Sequence, residues 1–221
     1  MDWFTSRIEK SANPFMMQLM KGKFVLPIVL VAVLAVSRIP GLMPMDFSVV
    51  YAFLFCSGVY CHGPMRWWLP LGTLLLTDLA LNAHYHMPLL DPSLIWNYLA
   101  YAAIILLARR FHPGMGIIKT TLGGVLGAVL FYLITSTVTW WQDSYYAKTI
   151  LGLFQALTLG HKNIQPSSWE FLRNTLFSSA LFTALFSMAA VFTEESPADK
   201  TAGSREAAEG EGEVQPQEAE T

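Results

Sequence analysis

Six apolar runs, each bounded by charged, proline or aromatic residues, occupy most of this chain and leave little from which to build a water-soluble surface. They extend from Phe24 to Ile39, Phe47 to His62, Trp67 to Ala83, Ser93 to Ala108, Ile117 to Trp141 and Phe171 to Phe192. A spanning helix uses about 20 residues to cross about 30 Å of hydrocarbon. Backbone groups in lipid must bond within their own segment, so the expected fold is all-α, a polytopic membrane bundle of about six transmembrane helices. The shorter runs then need shielding by neighbours or a locally thinned bilayer. Composition agrees: 53% of residues are hydrophobic, 14% are charged, and the mean hydropathy is +0.41.

Charge is unevenly placed. The net value of -2 combines a segment 194–221 with nine acids and two bases and a remainder of +5. A basic body suits anionic lipid head groups better than nucleic acid, which is not an expected partner. Three regions follow: an arm at 1–23, expected to form a short interfacial helix through Trp3, Phe4, Phe15 and Met16; a six-helix transmembrane domain at 24–193; and a tail at 194–221. The tail is rich in Glu, Gly, Pro and Ala, so it cannot repay the entropy of ordering and reads as disordered. The arm mixes acids and bases with no early apolar core, unlike a cleaved signal peptide.

Lysine and arginine set the expected orientation, because positive loops stay in the cytoplasm. With both termini inside, ten of these residues are cytoplasmic and four, Arg38, Lys148, Lys162 and Arg173, are outside. The long connection from Gln142 to Glu170 contains apolar residues at helical spacing, Ile150, Leu153, Phe154 and Leu157, and predicts a short helix on the outer surface.

Polar residues inside lipid are costly, so their positions are informative. Seven acids precede the tail, and Asp78 alone falls within an apolar run, one helical turn from Asn82. At the same expected level lie Arg38 and Asp46 after the first run, Trp96 and Asn97 opening the fourth, Trp140 and Trp141 ending the fifth, and Arg173 and Asn174 opening the sixth. Together they predict an outward-facing site with aromatic walls and a few hydrogen-bonding groups, fitting a small-molecule ligand. Two plainer readings stand beside it: Trp residues form interfacial belts without any ligand, and Asp78 pairs with Arg38 or Arg173 to hold helices together. His84 and His86 lack the partners of a metal site, and no metal or cofactor is expected. Cys56 and Cys61 read as free thiols. Gly123 and Gly127 form a G-x-x-x-G that permits close helix packing. The chain has no Walker motif, G-x-S-x-G or H-E-x-x-H, so it reads as a non-enzyme, with no catalytic residues.

Two blocks resemble a family of small, uncharacterised bacterial inner-membrane proteins related to the substrate-binding S components of energy-coupling-factor vitamin transporters. The first is SRIPGLMPMDFSVVYAFLFCSGVYCHGPMRWWLPLGTLLLTDLAL. The second carries Trp140, Tyr146, Thr149, Gly152, Leu153, Phe171, Arg173, Asn174, Thr175 and Leu176 in the order of the family's Trp, Tyr-x-x-Thr-x-x-Gly-Leu and Phe-x-Arg-Asn-Thr-Leu pattern. The fourth helix adds nothing to this likeness. The resemblance implies an S-component-like bundle in the bacterial inner membrane that binds a vitamin-like molecule near its outer face, with a separate coupling subunit and ATPase as partners. One departure is that the first helix has Ala32 and Ala35 where S components often carry Ala-x-x-x-Ala. The expected function is a small-molecule-binding uptake subunit, with Arg38, Asp78 and Arg173 as polar contacts and Trp96, Trp140 and Trp141 as stacking surface. A non-transport membrane scaffold is the alternative.

Overall fold

The computed structural model describes residues 14–44, 46–89, 94–161 and 167–193, and among these residues it contains seven α-helices and no strand. They are α1 (Pro14–Ser37), α2 (Val50–Tyr60), α3 (Met65–His84), α4 (Leu94–Ala108), α5 (Ile117–Gln142), α6 (Ile150–Thr158) and α7 (Ser168–Thr193). The six predicted apolar runs correspond to α1–α5 and α7, and the short helix expected in the long connection is α6. Trp3, Phe4 and the segment 194–221 lie outside the described residues. The first run is longer than its apolar part, because α1 continues back through Lys23 to Pro14 and takes in the end of the predicted arm. A single glycine, Gly22, costs too little to stop a helix there.

The helix α2 is apolar on every side, and ten of its eleven residues are buried. A helix without a polar face has to lie inside a protein or a bilayer. Here it is the axis of the bundle. The helices α1, α3, α4, α5 and α7 form a closed ring, each touching the next, and all five touch α2. At about 1.5 Å per residue α2 is roughly 16 Å long, too short to cross a membrane, and the ring shields it.

Close approach within the bundle depends on glycine. An added Cβ at Gly58 would meet Ala108 Cβ at 2.5 Å, joining α2 to α4. On α5, a Cβ at Gly123 would meet the Phe55 ring at 2.4 Å, and one at Gly124 would meet Thr183 Oγ1 at 2.2 Å. The G-x-x-x-G segment is thus a packing face, as expected, and Gly124 extends it toward α7. Ser179 Oγ then donates to the Gly124 carbonyl at 2.9 Å.

The face of α7 turned to the bundle includes Thr175, Ser178, Ser179, Thr183 and Ser187, all buried. Its opposite face exposes Phe177, Leu181, Leu185, Val191 and Phe192. Phe182 and Phe186 share the buried face, but the small polar residues gather there while Phe177, Leu181, Leu185, Val191 and Phe192 face outward, the reverse of the pattern of a water-soluble helix. By length and composition, α5 and α7 can each cross a membrane.

Candidate functional site

The site begins where α1 stops. The Arg38 amide donates to Leu34 O at 3.1 Å and Ala35 O at 3.2 Å, and Pro40, which has no amide hydrogen, follows. Arg38 therefore sits at a helix C-terminus, where a cation is favoured by the exposed carbonyls. Its Nη2 lies 3.1 Å from Asp78 Oδ1 on α3, with the two side chains 22% and 14% exposed. The other carboxylate oxygen, Oδ2, accepts from the Tyr98 hydroxyl at 3.1 Å. Both oxygens of the one acid in an apolar run are thus engaged, from α1 and from α4.

Tyr98 and Tyr101, one turn apart on α4, pack edge to face with ring centroids 5.3 Å apart. Tyr101 lies within electrostatic reach of Asp78 and Arg38 and stacks on Phe131 of α5 at 5.5 Å. Phe131 also meets Tyr51, the second residue of α2, at 4.8 Å. Tyr51 feels the charges of Arg38 and Asp46. A polar cluster with an aromatic floor therefore occupies the end of the bundle where α1 and α3 finish and α2 and α4 begin.

Two of its atoms are unsatisfied. Arg38 Nε and Asp46 Oδ2 are buried without a hydrogen-bond partner from the protein. Asp46 also has a φ of 59°, a left-handed backbone that aspartate tolerates better than most residues. Burial raises its carboxyl above the ordinary aspartate value.

The other predicted residues are placed as follows. Asn82 donates from Nδ2 to Pro88 O at 3.2 Å and Leu89 O at 3.4 Å, bracing the turn after α3. Asn97 is partly buried one turn before Tyr101, while Trp96 is 38% exposed. Trp140 Nε1 donates to Ala147 O at 2.9 Å, and Lys148 Nζ donates to the Trp140 and Asp143 carbonyls and lies 5.9 Å from the Trp140 ring centre. Trp141 is exposed. Arg173, also exposed, donates from Nε to Asn174 Oδ1 at 3.3 Å. The structure thus brings Arg38 and Asp78 together and selects Arg38, not Arg173, as the partner of Asp78.

The second sequence block builds the corner between α5 and α6. Thr149 Oγ1 accepts from the Gly152 amide at 3.2 Å and caps α6. A Cβ at Gly152 would lie 2.0 Å from Ala147 O, so only glycine fits. Phe171 stacks on Tyr132, whose hydroxyl bonds to the Leu157 carbonyl. Tyr51, Tyr98 and Tyr101 were absent from the sequence prediction, since a tyrosine in an apolar run reads as core. The available signal was the pair one turn apart on α4, a helix outside both resemblance blocks.

A family model matches residues 18–199, and its description is Family of unknown function (DUF6580). The chain belongs to this family. No curated protein and no solved structure matches it. The matched span contains α1 from its second turn, every residue of the polar cluster and the whole of α7.

Proposed function

We propose that this family member is a small-molecule-binding protein of the bacterial inner membrane, in which α1–α5 and α7 form a six-helix membrane-embedded bundle with the short α2 enclosed by the other five and both termini in the cytoplasm. The membrane reading is supported by α7, whose Ser and Thr residues are buried beside Phe182 and Phe186 while Phe177, Leu181, Leu185, Val191 and Phe192 point outward. It is also supported by Asp78, an intramembrane acid held by a cation and a phenol, the usual arrangement where such residues serve a function.

The binding reading rests on one observation: Arg38 Nε and Asp46 Oδ2 are buried and unpartnered beside a satisfied ion pair. A ligand with an acceptor for the guanidinium and a donor for the carboxylate would complete both, and Tyr98 and Tyr101 offer it aromatic surface. Uptake would require a coupling subunit and an ATPase, in the manner of the S components that the chain resembles. Ala32 and Ala35, both exposed on α1, offer a shallow face for such a subunit.

Native mass spectrometry of the detergent-purified protein tests the binding reading. The expected result is a retained small molecule that is lost in Asp46→Ala and in Arg38→Gln. Empty protein, with no thermal shift across a broad metabolite screen, would overturn it. The second reading, a membrane scaffold, draws on α6, where Ile150, Leu151 and Phe154 are 89%, 79% and 64% exposed. Affinity purification separates the two: an ATPase and its membrane subunit favour uptake, whereas envelope-assembly proteins on an empty bundle favour the scaffold.

A further inference from the structure

The end of the bundle opposite the Arg38 cluster has its own unspent polar groups. A cleft of about 200 Å³ opens there between the start of α5 and the last turns of α7, with Gly114, Gly116, Ile117, Ser187, Ala190 and Val191 in its lining. Ser187 is 1% exposed, yet its Oγ has no hydrogen-bond partner from the protein. An unpaired buried hydroxyl normally costs stability. Facing it, α5 starts after Gly116, at a φ of 84°, with no side chain capping its first turn. A Cβ at Gly114 or Gly116 would meet nothing within 4 Å, so space does not explain these glycines; their positive φ does, and it turns bare backbone toward the cleft.

Among the described residues, the charge around the cleft has one sign. Lys119 is exposed in the first turn of α5, and Arg109 and Arg110 are exposed just after α4. The acids among the described residues, Asp46, Asp78, Asp143 and Glu170, all belong to the other end of the bundle. An uncapped helix N-terminus presents N–H groups and a partial positive charge, a combination that holds phosphate oxygens.

We infer that the cleft at the start of α5 binds a phosphate group, held by the first-turn N–H groups of α5 and the Ser187 hydroxyl and neutralised by Lys119, Arg109 and Arg110. Ile117, Ala190 and Val191 supply an apolar wall beside it, matching a phosphate carried on a lipid; a free phosphate compound meets the same polar groups. This site involves no residue of the Arg38 cluster, so it stands or falls apart from the ligand proposed there.

Two measurements on the full chain test it. Protein is released from nanodiscs of phosphatidylcholine with a minor share of phosphatidylglycerol and weighed by native mass spectrometry. In parallel, inorganic phosphate is titrated against thermal unfolding in neutral detergent, with chloride at matched ionic strength. Selective retention of phosphatidylglycerol assigns a lipid source, and stabilisation by inorganic phosphate assigns a free one; either supports the site if Ser187→Val weakens it about tenfold. Ser187→Val removes a hydroxyl without a partner and so keeps the fold, and the exposed Lys119→Gln provides a second variant with a smaller loss. Preference for neither phosphatidylglycerol nor phosphate, or unchanged binding in both variants, overturns the inference.

Discussion

Arg38 Nη2 and Asp78 Oδ1 stand 3.1 Å apart and join the C-terminal end of α1 to the second half of α3. Both side chains are largely buried, so each charge depends on the other for its solvation. Asp78→Asn leaves the guanidinium without its counter-charge and should cost about 1–3 kcal/mol, less than a fully buried pair because some exposure remains. Arg38→Gln combined with Asp78→Asn should recover part of that loss. Thermal unfolding of both single variants and the double variant in detergent measures the coupling, and strict additivity would show that the pair does not interact.

Asp46 sets a pH dependence of known sign. Burial raises its folded pKa above 3.8, so the folded state holds the proton more tightly than the unfolded state does. Its stabilising contribution is therefore complete below the unfolded value and is lost as pH rises through the folded one. Asp46→Asn keeps a residue that accepts the left-handed backbone and removes the charge. The melting temperature should rise by about 1–3 °C at neutral pH and stay unchanged in acid, as read by paired melts.

Gly124 has no room for a methyl group. A Cβ there would lie 2.2 Å from Thr183 Oγ1, on the tightly packed face between α5 and α7. Gly124→Ala should destabilise by about 1–3 kcal/mol through overpacking. Thr183→Ala in the same chain should relieve part of the clash, and denaturation of the pair of variants decides whether it does.

Glu170 and Ser167 cap α7 reciprocally. Ser167 N and Oγ both donate to Glu170 Oε2, at 3.0 and 3.1 Å, and the Glu170 amide donates to Ser167 Oγ at 3.4 Å. The donors from Ser167 hold the Glu170 carboxyl below its ordinary value. This stabilisation is present above the unfolded pKa and fades as pH falls through the folded one. Glu170→Gln should increase amide exchange in the first turn of α7 at neutral pH, with the difference from the native chain shrinking in acid.

Trp140 and Trp141 are adjacent in sequence and unequal in structure. The Trp140 indole donates to Ala147 O, whereas Trp141 is 72% exposed. Trp140→Phe should therefore speed amide exchange across residues 147–152, and Trp141→Phe should not. Equal effects would mean that neither ring braces the corner.

Much of the helical layout was legible because helix propensity and apolar runs are local. The six runs matched six helices, and only the ends moved, as where α1 reached back to Pro14. Asp78 was legible for the same reason: a lone acid in an apolar run needs a partner wherever the run packs. Tyr98 and Tyr101 were not, because a buried phenol that bonds to a carboxylate and one that merely fills space have the same local sequence. Trp140, read as stacking surface, is engaged by the backbone seven residues ahead, a contact set by the path of the turn.

The amino-acid sequence by itself determined where helices form and that Asp78 must be neutralised. Each follows from residue type and spacing along one segment. Only the tertiary structure decided that α2 is the axis, that five helices close around it, and that Arg38 rather than Arg173 meets Asp78. Apolar runs of similar composition have nearly equal affinity for one another. Which of them touch is settled by shape, through Gly58, Gly123 and Gly124 and the side chains that approach them.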